Sequence, residues 1–105
     1  MIQVIASLAI NPDEPDALDT YFRVAGTLME EVGASITQKI ELGEAVIGEK
    51  ASEIVMLVKY PSLDALQQVF NSPEYESLIP IRDKAFVKYN ICYVDSNDLL
   101  EPPGG

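Results

Sequence analysis

From Asn71 to Asp83 the chain gathers polar groups able to hold a ligand: Asn71, Glu74, Tyr75, Glu76, Arg82 and Asp83. Pro73 and Pro80 make this an irregular connection. A guanidinium at Arg82 suits a carboxylate or an enolate, and the phenol of Tyr75 donates a hydrogen bond or stacks. A cleft needs only a few such groups to fix an otherwise apolar ligand. The same residues also fit a purely structural role. Asn71 or Ser72 then caps a helix, Pro73 starts a turn, Tyr75 packs its ring and Arg82 pairs with Glu74 or Glu76. Arg82, Tyr75 and Asn71 are the ligand-binding candidates of this segment. Tyr21 is the fourth. It lies on an apolar helical stripe, where its hydroxyl either reaches a cleft or tips a core aromatic.

Other chemistries lack their residues. The chain has no His and one Cys. That removes Ser-His-Asp triads, His metal sites and a proximal haem ligand, and one Cys builds neither a zinc nor an iron–sulfur site. Cys92 has no His to lower its thiol pKa, so a small buried residue is the expected role. Gly43 and Gly48 do not form a phosphate loop, because no Gly-Lys-Ser/Thr follows. No cofactor and no metal are expected. Catalysis, if any, falls to carboxylates, Tyr, Lys, Arg or a borrowed cofactor.

The elements that must position these groups come from a chain of 105 residues, 48 % of them apolar. That is one domain, expected over residues 1–95, followed by a flexible acidic tail over 96–105. Seven basic against 17 acidic residues leave a formal charge of −10. Such a surface repels phosphates, so nucleic acid and anionic membranes are not expected partners. A lone Cys forms no internal disulfide, and the first apolar run is too short to span a bilayer. A soluble, cytoplasmic protein is the expectation.

Residues 2–10 read as a strand covered on both sides. Pro15 opens a helix over 15–32, with Leu18, Tyr21, Phe22, Ala25, Leu28, Met29 and Val32 in one stripe and Gly33 as its cap. Residues 35–42 alternate, placing Ile36, Ile40 and Leu42 together on one face. Residues 53–60 form a third, central strand. Ser62 caps a helix whose stripe is Leu63, Leu66, Val69 and Phe70. A short turn over 74–78, a helical stretch from Pro80 through Phe86 and a last strand over 89–95 follow.

The order β-α-β-β-α-β is the ferredoxin-like pattern of the α+β class: a four-stranded antiparallel sheet with helices on one face. The strands carry apolar residues on both faces, such as Val55 and Leu57 opposite Ile54, Met56 and Val58. A second layer must cover the other face. The simplest layer is a second copy about a two-fold axis, so a homodimer through the sheet face is expected.

The block Tyr60-Pro61-Ser62-Leu63, then Asn71-Ser72-Pro73-Glu74-Tyr75, Leu78, Pro80 and Arg82, resembles a family of small uncharacterised bacterial proteins carrying a Ser-Pro-Glu-Tyr motif. That family lies in the dimeric α+β-barrel superfamily, beside antibiotic-biosynthesis-monooxygenase-like, muconolactone-isomerase-like and NIPSNAP-like proteins. The resemblance covers most of residues 2–95 and implies a dimeric α+β barrel. It breaks between the second and third strands. Relatives often have a Gly-Asp-Trp hairpin and a following Arg, where this chain has Gly48-Glu49-Lys50. The leading expectation is a homodimeric domain binding a small, largely apolar molecule between sheet and helices. The alternative is a cofactor-independent, monooxygenase-like or isomerase-like enzyme. A structural dimerisation module is the third reading.

Overall fold

The computed structural model describes residues 1–95; the expected acidic tail, 96–105, lies outside the described residues. The elements run β1 (Ile2–Ile10), α1 (Pro15–Glu31), β2 (Ser35–Glu41), β3 (Ile54–Tyr60), α2 (Leu63–Phe70), α3 (Pro73–Glu76), α4 (Ile79–Ala85) and β4 (Phe86–Asp95). The sheet order is β2-β3-β1-β4, and every pairing is antiparallel. This is the ferredoxin-like α+β arrangement, with β1 and β3 central and β2 and β4 at the edges. None of the described helices is long and apolar enough to cross a membrane.

Local sequence explains most boundaries. Pro15 sits in the first turn of α1, where its missing N–H is no loss, and Asp16 faces the positive end of the helix dipole. Gly33 ends the helix at φ 78°, a conformation that favours glycine. Its N–H bonds Glu30 O at 3.0 Å, and the Ala34 N–H bonds Met29 O at 2.9 Å. Ser62 caps α2, accepting from the Ala65 N–H at 3.1 Å. Ser72 does the same for α3, accepting from the Tyr75 N–H at 3.1 Å. That cap holds Tyr75 one turn after α2 ends.

One sheet face packs on the helices. Ile2, Val4, Ala6 and Leu8 of β1 join Met56, Val58 and Tyr60 of β3, and all are buried. Tyr21 and Ala25 of α1, Leu66 and Val69 of α2, and Tyr75 of α3 close over them.

Two bulges shift the expected faces. In β2, Ile36 pairs with Val58 and Gln38 with Leu57, so Thr37 is the extra residue. Its hydroxyl donates to Leu57 O at 3.1 Å. The slip puts Ile36 on the helix side and Ile40, opposite Val55, on the other. The expected common face of Ile36, Ile40 and Leu42 is therefore split, because one inserted residue reverses the alternation. Lys39 turns to the helix side, its Nζ 5.6 Å from the centre of the Phe22 ring. In β4, Ala9 pairs with Lys88 and Ile10 with Phe86, leaving Val87 as the extra, exposed residue. Phe86, expected in the helix, is buried at the start of this strand.

The other sheet face carries no helix of the described residues. Gln38, Leu57, Ile5 and Cys92 form one row across it, and Ile40, Val55, Ser7 and Asn90 form the next. Cys92 is thus exposed, not buried as expected: period-two alternation turns it away from Ile91 and out from the core.

Candidate functional site

Four elements bring one polar cluster together. Tyr21 comes from the middle of α1, Tyr75 from α3, Arg82 from α4 and Tyr89 from β4. Tyr21 Oη lies 2.8 Å from Tyr75 Oη and 2.8 Å from Tyr89 Oη. Arg82 Nη1 donates to Tyr75 Oη over a long 3.4 Å. The guanidinium carbon is 6.0 Å from the ring centres of both Tyr75 and Tyr89. Edge-on contacts fix the rings. Tyr21 meets Phe86 at 5.2 Å between centroids, and Phe70 meets Tyr75 at 4.8 Å.

The three phenols of the cluster line an apolar cavity between sheet and helices, with about 70 Å³ of free space. Val4, Ala25, Met29, Met56, Val58 and Val69 form its apolar wall. Tyr21, Tyr60, Tyr75 and Tyr89 also line it. Ile36, brought to this side by the β2 bulge, lines it while remaining half exposed.

Tyr21, Tyr60 and Tyr89 stay protonated at ordinary pH. Burial pushes Tyr21 far above its usual value, and the neighbouring Tyr89 and Tyr75 hydroxyls push the same way. Burial also raises Tyr60 to about 12. Tyr89 reaches about 12 too, raised by burial and held back by its hydrogen bond with Tyr21. Burial pulls Arg82 down, but the Tyr75 hydroxyl and Asp83 outweigh it, so the guanidinium keeps its charge. Tyr21, Tyr60 and Tyr89 are neutral donors beside one cation and supply no phenolate base.

Three of the four residues expected from sequence meet here: Tyr21, Tyr75 and Arg82. Asn71 does not. It is exposed at the C-terminal end of α2, where its N–H bonds Gln67 O at 2.9 Å. Arg82 is also placed differently from expectation. It stands behind Tyr75 and does not line the cavity. Its carboxylate partner is Asp83, at 3.7 Å, in place of Glu74 or Glu76. Sequence reasoning missed Tyr89. The usable signal was the alternation Tyr89, Ile91, Tyr93, which puts Tyr89 on the helix side with Ile91. Among the described residues no group of three or more His, Cys, Asp or Glu is placed to hold a metal ion.

A family model described as a domain of unknown function, DUF1330, matches residues 4–96. No curated protein matches the chain. Among solved structures, the RPA0582 protein of unknown function from Rhodopseudomonas palustris is 20% identical, with a TM-score of 0.76, over 96% of this chain and 83% of that one. An antibiotic biosynthesis monooxygenase is 18% identical, with a TM-score of 0.61, over 91% of this chain and 98% of its own. Rv0793 from Mycobacterium tuberculosis is 20% identical, with a TM-score of 0.60, over 97% of both chains. At these identities the likeness is one of fold.

Proposed function

The chain belongs to the DUF1330 family, and from that premise we propose that it binds a small, largely apolar molecule in the cavity between sheet and helices. One observation carries the reading: an apolar cavity lined by Tyr21, Tyr75 and Tyr89, whose hydroxyls meet. Such a layout gives an apolar body its burial and a polar tip its orientation. Free space of about 70 Å³ is small for a ligand site. The occupant is accordingly a compact molecule, and Met29, unbranched and partly buried, is the wall residue that yields to it. Residues 1–95 form the single domain that does this. Nucleic acid is not a proposed partner, given the formal charge of −10.

A second copy covers the open sheet face. Ile5, Ile40, Val55 and Leu57 present apolar surface there, and a two-fold contact between identical faces removes it from water.

The rival reading is a cofactor-independent enzyme, monooxygenase-like or isomerase-like. The likeness in fold to an antibiotic biosynthesis monooxygenase favours it. Such chemistry needs a base to take a proton from the substrate. Tyr21, Tyr60 and Tyr89 are poor bases because burial holds them neutral. Binding is therefore the better-supported function.

The methionines supply the test. Met29 and Met56 line the cavity, and Met1 is exposed and does not line it. With ¹³C-labelled methionine methyls, a titration with small cyclic hydrocarbons and ketones shifts Met29 and Met56 and spares Met1. Shifts of all three together, or of none, contradict the pocket.

A further inference from the structure

We propose that this pocket is built to donate a hydrogen bond through Tyr89, and that its ligand is an apolar compound carrying a carbonyl oxygen. The proposal rests on the pocket reading above and narrows its ligand class.

Counting protons leads there. Tyr75, Tyr21 and Tyr89 each bring one hydroxyl proton. They meet in two oxygen–oxygen contacts, each 2.8 Å, and each contact uses one proton. One O–H is left without an acceptor among the described residues. Arg82 does not take it, because a guanidinium only donates. Its Nη1 points at Tyr75 Oη and adds to the donor side. The cluster as a whole is short of acceptors.

The surplus falls on Tyr89. Donation from Arg82 into the Tyr75 oxygen makes the Tyr75 O–H a stronger donor, and the effect passes along a head-to-tail chain. The favoured order runs from Arg82 to Tyr75, then Tyr21, then Tyr89. All three line the cavity, but Tyr21 and Tyr75 are 2% and 3% exposed, whereas Tyr89 is only partly buried. Of the three, its proton is the one most open to a guest. Arg82 does not line the cavity and is a positioning residue, acting through two hydroxyls.

That polarity selects the guest. An apolar wall with a neutral donor suits a ketone, lactone or quinone carbonyl. A guest that offers only a donor leaves protons facing protons. A carboxylate loses its hydration with no charge in direct contact.

The test compares cyclopentanone with methylenecyclopentane, its carbonyl-free isostere, by the Met29 and Met56 methyl shifts. Wild-type protein binds both, and ¹³C-labelled ketone carbonyl moves downfield when bound. In Tyr89→Phe the affinity of ketone relative to isostere falls about fivefold, as for one lost neutral hydrogen bond. The downfield shift disappears, while isostere binding persists and shows an intact pocket. Arg82→Met leaves the wall untouched, keeps isostere binding and gives a smaller downfield shift. An unchanged affinity ratio and carbonyl shift in both variants overturn the donor assignment and leave the pocket reading standing. If neither probe moves Met29 or Met56 in wild-type protein, both fall.

Discussion

Replacing Tyr21 by Phe removes one oxygen atom at the centre of the cluster and keeps the ring. The ring stays packed against Phe86, so no cavity opens and the loss is one of hydrogen bonding. Two contacts of 2.8 Å disappear. Each is worth about 1 kcal/mol net. Tyr75, 3% exposed, retains Arg82 as a donor but loses the acceptor for its own proton. A stranded buried donor costs about 1–3 kcal/mol in its own right, whereas partly buried Tyr89 regains water. Counting the Tyr75 contact once, as the stranded donor, and the Tyr89 contact at about 1 kcal/mol, the expected destabilisation is about 2–4 kcal/mol, a drop in Tm of roughly 10–20 °C for a domain this size. Urea unfolding at fixed protein concentration measures it, with the slope m unchanged. Tyr93→Phe is the control. Tyr93 is 55% exposed and outside the cluster, so its hydroxyl costs less than about 0.5 kcal/mol to remove. Tyr21→Phe and Tyr89→Phe combined are less damaging than their sum, because the double change removes a shared contact only once. A Tyr21→Phe loss as small as that of Tyr93→Phe would refute the cluster's energetic role.

Three further outcomes follow from the same structure. Gly33→Ala destabilises by about 1–2 kcal/mol in a urea melt, because φ at this position is 78° and the added Cβ sits 3.4 Å from Pro61 Cγ; an unchanged midpoint contradicts it. Stability falls as pH rises from about 10 toward 12, since unfolded tyrosines lose protons from pH 10.0 upward while folded Tyr60 and Tyr89 hold theirs to about 12. Below that window these groups contribute no pH dependence, so a flat profile from pH 9 through 11.5 is the refuting result. Leu57→Arg, beside Ile5 on the open sheet face, converts a sedimenting dimer at micromolar concentration into a monomer; a wild-type monomer under the same conditions removes the dimer.

Much of this was legible in one sequence, and the misses share a cause. The α1 stripe, the Ser62 cap, the central β3 and the ferredoxin-like order all depend on local periodicity and capping, which a chain states directly. Tyr21, Tyr75 and Arg82 stood out by type and setting, and the fold brings them together. What failed depended on register. Nothing local in Ser35–Glu41 announces that Thr37 is extra, yet that insertion decides whether Ile36 lines the cavity or faces away. Tyr89 escaped notice because its role depends on a tertiary contact with Tyr21 of α1, which alternation within the last strand does not reveal. Asn71 and Arg82 are neighbours of Tyr75 in sequence, but a helix end carries one outward and α4 sets the other behind the ring. Cys92 lacks a His to activate it and so reads as a buried residue, yet alternation along β4 sends it to the face opposite Ile91.

Xenon offers the most direct measurement of the pocket itself. The gas enters apolar cavities and scatters X-rays strongly. A crystal of the protein pressurised with xenon is expected to show a peak among Val4, Ala25, Met56 and Val58, within reach of the Tyr21 ring. Peaks elsewhere with none between sheet and helices would contradict a binding cavity at this site.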